Sequence, residues 1–326
     1  DLVFSGRSTE ISLGAGYTGF IQKEFSSVSL SIPDSLDAED DGVYFGPARL
    51  LGRGTLTFPE LFLRQNVSLG FAFQQDLRDP DDVVEPKAEA ANVDEAGGLI
   101  DTQYAILELD GPFSTPFPLF YTLVYVYNMG RTMGLLEDET AVSGASYQYA
   151  PIHAHLVHGR LDAFFPAFFT SSVGVGATYT SGDADYTGYT EGNTEDDATM
   201  FTAVTPAETG AVFGLQPGNA TITEVSYSMK PFAHSGPAVV ETLQGEVSLY
   251  NFFRSAGEGP VSVSDVDAGA DGAYLASEVD VAFRLRPVSD VGIGLTTGFL
   301  FPNSAVMFDD ANDFDYVIRL NASLSF

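Results

Sequence analysis

Charged side chains at alternate positions near the end of the chain have the types and spacing best suited to chemistry. Glu278, Asp280, Arg284 and Arg286 are separated by even numbers of residues, and Arg319 follows later. Side chains two apart on a β-strand share a face, so we expect these charges to line one surface. Arginines facing carboxylates across a watery passage orient and select polar solutes. The full set predicted to line such a passage is Glu108, Asp110, Glu246, Glu278, Asp280, Arg284, Arg286 and Arg319. The alternative is that the charges pair with one another and fill a narrow interior.

Two histidines, His153 and His155, are the strongest candidates for a metal site or a catalytic group. Their spacing puts both on one face of a strand, where a pair of imidazoles can chelate a metal. No third such ligand is near on that face, and the chain has no cysteine. His158 is predicted to face the opposite side, and no recognisable motif places a serine beside it for hydrolysis. We therefore expect that the protein is not an enzyme.

Two acidic stretches are candidates for calcium binding. One contains Asp37, Asp40 and Asp41, and the other contains Asp265, Asp267 and Asp271 with glycine between them. Carboxylates on glycine-containing loops bind Ca²⁺ when their oxygens converge, but neither stretch has the spacing of an EF-hand. The alternative is solvated loops that are kept soluble by charge. Apart from Ca²⁺ in these loops, we expect no cofactor.

The elements that must position these residues are β-strands. The last twelve residues, from Asp315 to Phe326, have an apolar residue at every second position. This alternation predicts a strand with one apolar face and one polar face. Eleven further segments show a similar pattern, around residues 10–18, 44–58, 67–74, 104–110, 121–127, 145–158, 172–179, 224–230, 246–250, 275–286 and 291–301. Residues 26–32 are a further candidate: they form either a hairpin arm within the first long loop or a strand that pairs with 44–51 and raises the count to fourteen.

Composition agrees with an all-β chain. Aromatic residues, all Phe or Tyr, make up 13% of the 326 residues, and no apolar run approaches the roughly 20 residues of a membrane helix. The net charge of −31 excludes nucleic acid as a partner. No charged and apolar leader precedes Asp1, so we expect any export signal to have been removed.

The connections between the predicted strands alternate between short and long. The predicted short turns are residues 59–65, 111–116, 159–168, 231–239 and 287–290. The predicted long loops are residues 21–43, 77–98, 130–144, 182–220, 255–272 and 302–312. Most of the 45 acidic residues fall in the long loops, so one end of the molecule is strongly anionic. A soluble β-sandwich or propeller, the alternative fold, has no reason to place every long loop at one end.

The amphipathic last strand that ends in Phe326, together with the alternation of turns and loops, resembles bacterial outer-membrane β-barrel proteins of the porin-like kind. In those families the final strand with its terminal aromatic residue is the signal for barrel assembly. The resemblance implies a single domain, residues 1–326, that forms a transmembrane antiparallel up-and-down β-barrel. It has about twelve strands, long acidic extracellular loops and both termini in the periplasm.

This fold predicts a channel in the bacterial outer membrane for passive diffusion of small hydrophilic solutes or ions. Its anionic mouth favours weak cation selectivity. The expected partners are outer-membrane lipid, lipopolysaccharide and small polar solutes or cations, with a protein partner conceivable at the loops. The alternative function is a closed barrel that serves as a surface scaffold, an adhesin or the membrane anchor of an envelope complex. Polar inner faces argue against uptake of a long-chain apolar substrate.

Overall fold

A computed structural model describes most of the chain and shows an all-β fold. The described residues are 2–5, 9–18, 49–62, 64–77, 88, 100–184, 186, 197–203, 209–234, 237, 239–288, 290–308 and 313–324. The strands are β1 (Leu2–Ser5), β2 (Glu10–Thr18), β3 (Arg49–Phe62), β4 (Gln65–Asp76), β5 (Ile100–Pro112), β6 (Leu119–Glu137), β7 (Ala145–Phe165), β8 (Ser171–Thr180), β9 (Ala220–Met229), β10 (Gln244–Arg254), β11 (Tyr274–Val288), β12 (Val291–Pro302) and β13 (Asp315–Leu324). No helix that is long and apolar enough to cross a membrane occurs among these residues.

The strands form one antiparallel sheet in which each strand pairs with its neighbours in sequence. The predicted all-β, up-and-down architecture with twelve long strands, β2 to β13, is therefore confirmed. The four-residue β1 was not predicted. It pairs along the edge of β2 with residues 10–13, for example Leu2 with Leu13. We expected the last strand to close on the strand that begins at Glu10. In the described part of the chain β13 pairs only with β12. The candidate strand 26–32 and Phe326 lie outside the described residues.

The two connections predicted at the ends of the β6–β7 hairpin are too long, as is the turn predicted at residues 59–65. The strand β6 continues to Glu137, where a loop was predicted from residue 130, and β7 continues to Phe165, where a turn was predicted from residue 159. The reason is a hairpin ladder that runs without interruption from the pair Leu119–Ala163 to the pair Glu137–Ala145. Gly130 sits within this ladder at φ 140°, so the glycine accommodates a distorted strand there and does not end it. This hairpin is the longest in the sheet.

One face of the sheet, here called the outer face, exposes large apolar side chains at alternate positions. Examples from ten strands are Leu13, Leu69, Leu107, Leu123, Val175, Val225, Leu249, Phe283, Leu295 and Leu320. At the short-turn end the rim is aromatic, with exposed rings of Phe113, Phe117, Phe120, Phe164, Phe165, Phe168, Phe169 and Phe232. Exposed apolar area of this extent is unfavourable in water, so this face requires an apolar environment.

The sheet curls, and its other face, the inner face, surrounds part of the connection between β8 and β9. A cavity of about 550 Å³ touches both Gly14 on β2 and Leu156 on β7. In a flat sheet these strands would stand about 24 Å apart, whereas a round cavity of that volume is only about 10 Å across. The strands β2 to β7 must therefore curve around it.

Two apolar cores fill the inner side toward the long-connection end. One joins the connections β8–β9, β10–β11 and β12–β13 to the inner face of β9 to β12, through residues such as Phe213, Phe252, Val266 and Val306. The other joins Met200 and Phe201 to the inner face of β5 to β7. Buried Arg254 fastens the β10–β11 connection by donating hydrogen bonds to the carbonyl oxygens of Asp267, Ala268 and Ala270 at 2.9–3.4 Å.

Candidate functional site

The inner segment, residues 197–203 and 209–219, crosses the space inside the sheet. It starts at the free edge of β7, where His153 N–H donates to Ala198 O and Ala198 N–H donates to Pro151 O, both at 2.9 Å. Further on, the backbones of Thr209 and Leu215 bond to each other in both directions, which makes a small hairpin with residues 210–214 at its tip. This segment therefore occupies part of the interior of the curled sheet.

Two acidic side chains on the inner face of β11 hold the hairpin tip. Glu278 Oε1 accepts a hydrogen bond from Val212 N–H at 2.8 Å, and its Oε2 accepts one from Phe213 N–H at 2.9 Å. Asp280 Oδ2 accepts from Ala211 N–H at 3.1 Å. Three successive N–H groups that point at carboxylates form an anion-binding nest. We call this arrangement the carboxylate latch.

The latch is specified by both partners. Glu278 is 0% exposed, so its carboxyl oxygens are satisfied by the backbone N–H groups of the tip and not by bulk water. Gly210, just before the nest, has φ +89°, a conformation that L side chains rarely adopt. A Cβ there would also come within 2.6 Å of Glu278 Oε2. Glycine is needed at 210 for both reasons.

The opposite side of the inner segment rests on a mostly apolar wall. Phe201 packs edge-on against Tyr104 of β5 at a centroid distance of 6.2 Å. The Tyr104 hydroxyl donates to Thr202 O at 2.7 Å, and Thr202 N–H lies 3.4 Å from Asn128 Oδ1. Next to these contacts the inner face of β7 presents buried Ile152 and Ala154. The expectation of polar inner faces is therefore wrong for this side, because the inner segment covers it.

Because Ile152 and Ala154 point inward, the histidines at the alternate positions of β7 point outward. His153 and His155 lie on the exposed outer face, where their Nδ1 atoms hydrogen-bond to the hydroxyls of Tyr127 and Tyr125 at 2.8 and 2.9 Å. His158 faces inward and its Nδ1 lies 2.8 Å from Thr178 Oγ1. No group of three or more metal-binding side chains occurs among the described residues. The arrangement joins imidazole and phenol in a polar and aromatic strip on the outer surface.

An arginine that the sequence pattern did not single out organises the inner face between β7 and β9. Arg160 bonds to Asp162 at 3.0 Å, to Glu224 at 2.8 Å and to Ser226 at 3.1 Å. Its guanidinium crosses over β8 at Gly174, where a Cβ would collide with it and lie 2.8 Å from Asp162 Oδ1. The signal in the sequence was the pair of inward glycines, Gly174 and Gly176, between two charged strands.

Three of the predicted residues, Glu246, Arg284 and Arg286, lie on the inner face of β10 and β11 near the short-turn end. Arg284 Nη1 and Glu246 Oε2 are 2.6 Å apart on adjacent strands, with side chains 62% and 29% exposed. Arg284, Arg286 and Lys230 line a second cavity of about 400 Å³. Arg284 and Glu246 thus pair side by side along one wall, and opposed rows of arginine and carboxylate across the interior stay a prediction.

The remaining predicted residues are spread around the sheet. Asp110 accepts a hydrogen bond from Asn66 Nδ2 at 2.8 Å, and Glu108 is half-buried opposite Ser68. Arg319 on β13 interacts electrostatically with Asp280. Contact of these side chains with a solute stays a prediction.

Of the two acidic stretches, the described residues include Asp265, Asp267 and Asp271. Asp37, Asp40 and Asp41 lie outside the described residues. Asp267 Oδ1 accepts from Gly269 N–H at 2.9 Å and so shapes its own turn. Asp271 hydrogen-bonds to Glu258 and raises the pKa of that carboxyl. The backbone oxygen of Asp265 accepts a hydrogen bond from Phe308 N–H, in the β12–β13 connection, at 3.0 Å. Calcium binding by these loops stays a prediction.

Comparison with solved structures gives 24 matching chains, and two of them illustrate how distant the likeness is. One is the crystal structure of OccK11 (OpdR) from Pseudomonas aeruginosa, with 13% identity, a TM-score of 0.44, and coverage of 98% of this chain and 78% of that one. The other is a mutant of the ferric enterobactin receptor PfeA from the same organism, with 12% identity, a TM-score of 0.43, and coverage of 99% of this chain and 55% of the receptor. No family model and no curated protein matches the sequence. Neither likeness carries an argument about function.

Proposed function

We propose that the protein is a narrow channel of the bacterial outer membrane for small polar solutes or ions. The observation that carries the proposal is the contrast between the faces of one curled sheet. The outer face exposes apolar side chains on its long strands, whereas the inner face carries Arg160, Glu224, Glu246, Asp280 and Arg284. A sheet that bonds its strands to one another and turns apolar residues outward suits a bilayer.

The height of the outer apolar band supports the proposal that the sheet spans a membrane. On β7 it extends from the polar His155 to the aromatic rim at Phe165. Ten residues at about 3.3 Å each, tilted by about 40°, span about 25 Å, which equals the apolar band of outer-membrane barrels. We place the long acidic connections outside the cell and the short turns in the periplasm.

Within this barrel the inner segment acts as the constriction. It is held to β11 by the carboxylate latch and leaves the charged inner face of β7 to β11 on its short-turn side. A solute on this route meets paired charges on one wall, so its passage depends on size and charge and needs no covalent chemistry. The anionic loops concentrate cations at the outer mouth, and the basic cavity at Arg284 and Arg286 moderates that preference.

Planar bilayers test the proposal directly. The purified protein should conduct in steps, with a reversal potential under a salt gradient that indicates weak cation preference. The double variant Arg284→Ala and Arg286→Ala should shift that potential toward stronger cation preference. An outer-face variant of the same kind, Arg131→Ala, should leave it unchanged. Complete absence of conductance in the wild type would refute the channel.

A second function is favoured by one observation, the burial of the inner segment and of the connections over β9 to β12. These could close the barrel, which would then serve as a scaffold, an adhesin or an anchor for an envelope partner. A wild type that is silent in bilayers but co-purifies with a stable partner through its long loops supports this function. Conductance without a partner contradicts it.

A further inference from the structure

The apolar side of the interior contains a cavity that the passage of polar solutes does not use. Its volume is about 550 Å³. The strand side is formed by Gly14, Leu51, Ala72, Ile106, Val126 and Leu156, and the inner segment adds Phe201, Ala203 and Pro217. Binding pockets for small molecules have volumes in this range and are mostly apolar.

The cavity exists because the sequence places small residues where the curled sheet could hold large ones. Gly14 and Gly16 on β2 and Ala72 on β4 occupy inward positions on either side of β3, and Ala203 adds a small side chain from the inner segment. A Cβ on Gly16 would meet nothing within 4 Å. An empty apolar space forfeits dispersion contacts, so larger residues here would stabilise the protein if the space had no occupant.

The lining offers almost no polar recognition. The hydroxyl of Tyr104 is already engaged by Thr202 O at 2.7 Å and by Thr102 Oγ1 at 2.9 Å. Among the described residues around the cavity only Arg53 is charged, and its side chain is exposed. A charged ligand would lose its hydration there without gaining buried partners. An uncharged apolar ligand would gain contacts at no such cost.

We propose that this cavity is a binding site for an uncharged apolar small molecule of the size of a one-ring or two-ring aromatic compound. The ligand sits between the walls of β2 to β7 and the inner segment, with Phe201 against it. Its binding fills the space beneath the segment and stabilises the segment on the apolar side. The test of this site is independent of the test of the proposed channel, because ligand binding is measured on purified protein and requires no ion current.

The chain contains no tryptophan, which permits a direct test. Phe201→Trp places a single indole at the cavity, and Phe71→Trp places one on the outer face as a control. Bromobenzene, an uncharged quencher of indole fluorescence, is titrated at constant detergent concentration. Saturable quenching is expected for Phe201→Trp, whereas only linear quenching by partition into the micelle is expected for Phe71→Trp. Leu156→Trp, on the facing wall, should repeat the saturable result.

Filling the cavity supplies the matched comparison. Ala72→Phe in the Phe201→Trp background should raise the half-saturation concentration at least about tenfold. Ala105→Phe adds the same group on the outer face. Tyr104 pairs with Ala72 and shares its inward face, so the next residue, Ala105, points outward. It should change nothing. The proposal fails if Phe201→Trp and Phe71→Trp are quenched alike, or if Ala72→Phe binds as well as its control. It also fails if only a brominated fatty acid, and not bromobenzene, gives saturation.

Discussion

The inner segment rests on two sides of the sheet that hold it by different physics. On the β11 side, two carboxylates bind three successive backbone N–H groups at 2.8–3.1 Å. On the β5 to β7 side, the described contacts are mostly apolar. They are joined by a hydrogen bond from Tyr104 to Thr202 O at 2.7 Å and by backbone hydrogen bonds between Ala198 and β7 at 2.9 Å, with a cavity of about 550 Å³ beside them. Directional bonds fix the position of the tip, whereas apolar contact tolerates rearrangement and vacancy.

This difference indicates which side controls the segment. Charge-assisted hydrogen bonds that are fully buried are strong, and their loss leaves unsatisfied groups inside the protein. An apolar contact that is lost on the other side can be replaced by a ligand or by a larger side chain. We therefore expect the carboxylate side to determine whether the segment stays in place, and the apolar side to determine how firmly.

The largest effect is expected from Glu278→Ala. It leaves the N–H groups of Val212 and Phe213 without their acceptor, at a cost of about 3 kcal/mol. Hydrogen exchange should show about a hundredfold loss of protection at residues 211–213. Single-channel conductance should rise because the constriction is released. Glu246→Ala, which removes the half-buried partner of Arg284 on the neighbouring strand, should leave the tip protected. Equal protection in wild type and Glu278→Ala would show that the latch does not hold the segment.

Gly210→Ala attacks the latch from the other partner. The φ of +89° disfavours alanine and the new Cβ would approach Glu278 Oε2, so we expect a loss of about 2 kcal/mol in the opening free energy of the tip. The change in exchange and conductance should resemble that of Glu278→Ala but be smaller. Gly144→Ala, also at positive φ but with nothing within 4 Å of its Cβ, controls for backbone strain alone. Identical effects of the two glycine variants on the tip would contradict the role of Gly210.

Tyr104→Phe tests the apolar side with a still smaller expected effect. It removes one hydrogen bond to Thr202 O, worth about 1 kcal/mol, and keeps the ring against Phe201. Exchange at residues 201–203 should accelerate by about fivefold, and conductance should stay near that of the wild type. A conductance increase as large as that of Glu278→Ala would reverse the assignment of control to the carboxylate side.

The sequence predicted the frame of the molecule better than its interior. Alternation in segments such as 291–301 identifies strands because the side-chain period of a strand is local. It could not reveal that Ile152 and Ala154 point inward, because both faces of β7 are apolar or amphipathic and the cover comes from a segment more than 40 residues away. In the same way, Glu278 and Asp280 were predicted to face a solute. Their actual partners are backbone groups of residues 211–213, which carry no mark in a sequence.

The smallest effect is expected at Asp138, in the turn of the long β6–β7 hairpin. Its carboxylate accepts from Thr140 N–H at 2.9 Å and from Ser146 Oγ at 2.7 Å, and the hydrogen bonds with Thr140 and Ser146 lower its pKa from 3.8 to about 2. Because the folded pKa is the lower one, the turn is stabilised fully above pH 3.8, and this contribution is lost as the pH falls through about 2. Exchange at Thr140 N–H, after correction for intrinsic rates, should therefore accelerate on acidification below pH 3.8 in the wild type. Asp138→Asn should remove that pH dependence while leaving exchange at 211–213 untouched, since the apolar side and its hairpin turn do not set the position of the tip. A change at 211–213 that tracked Asp138 would show that the two sides are coupled through the inner segment.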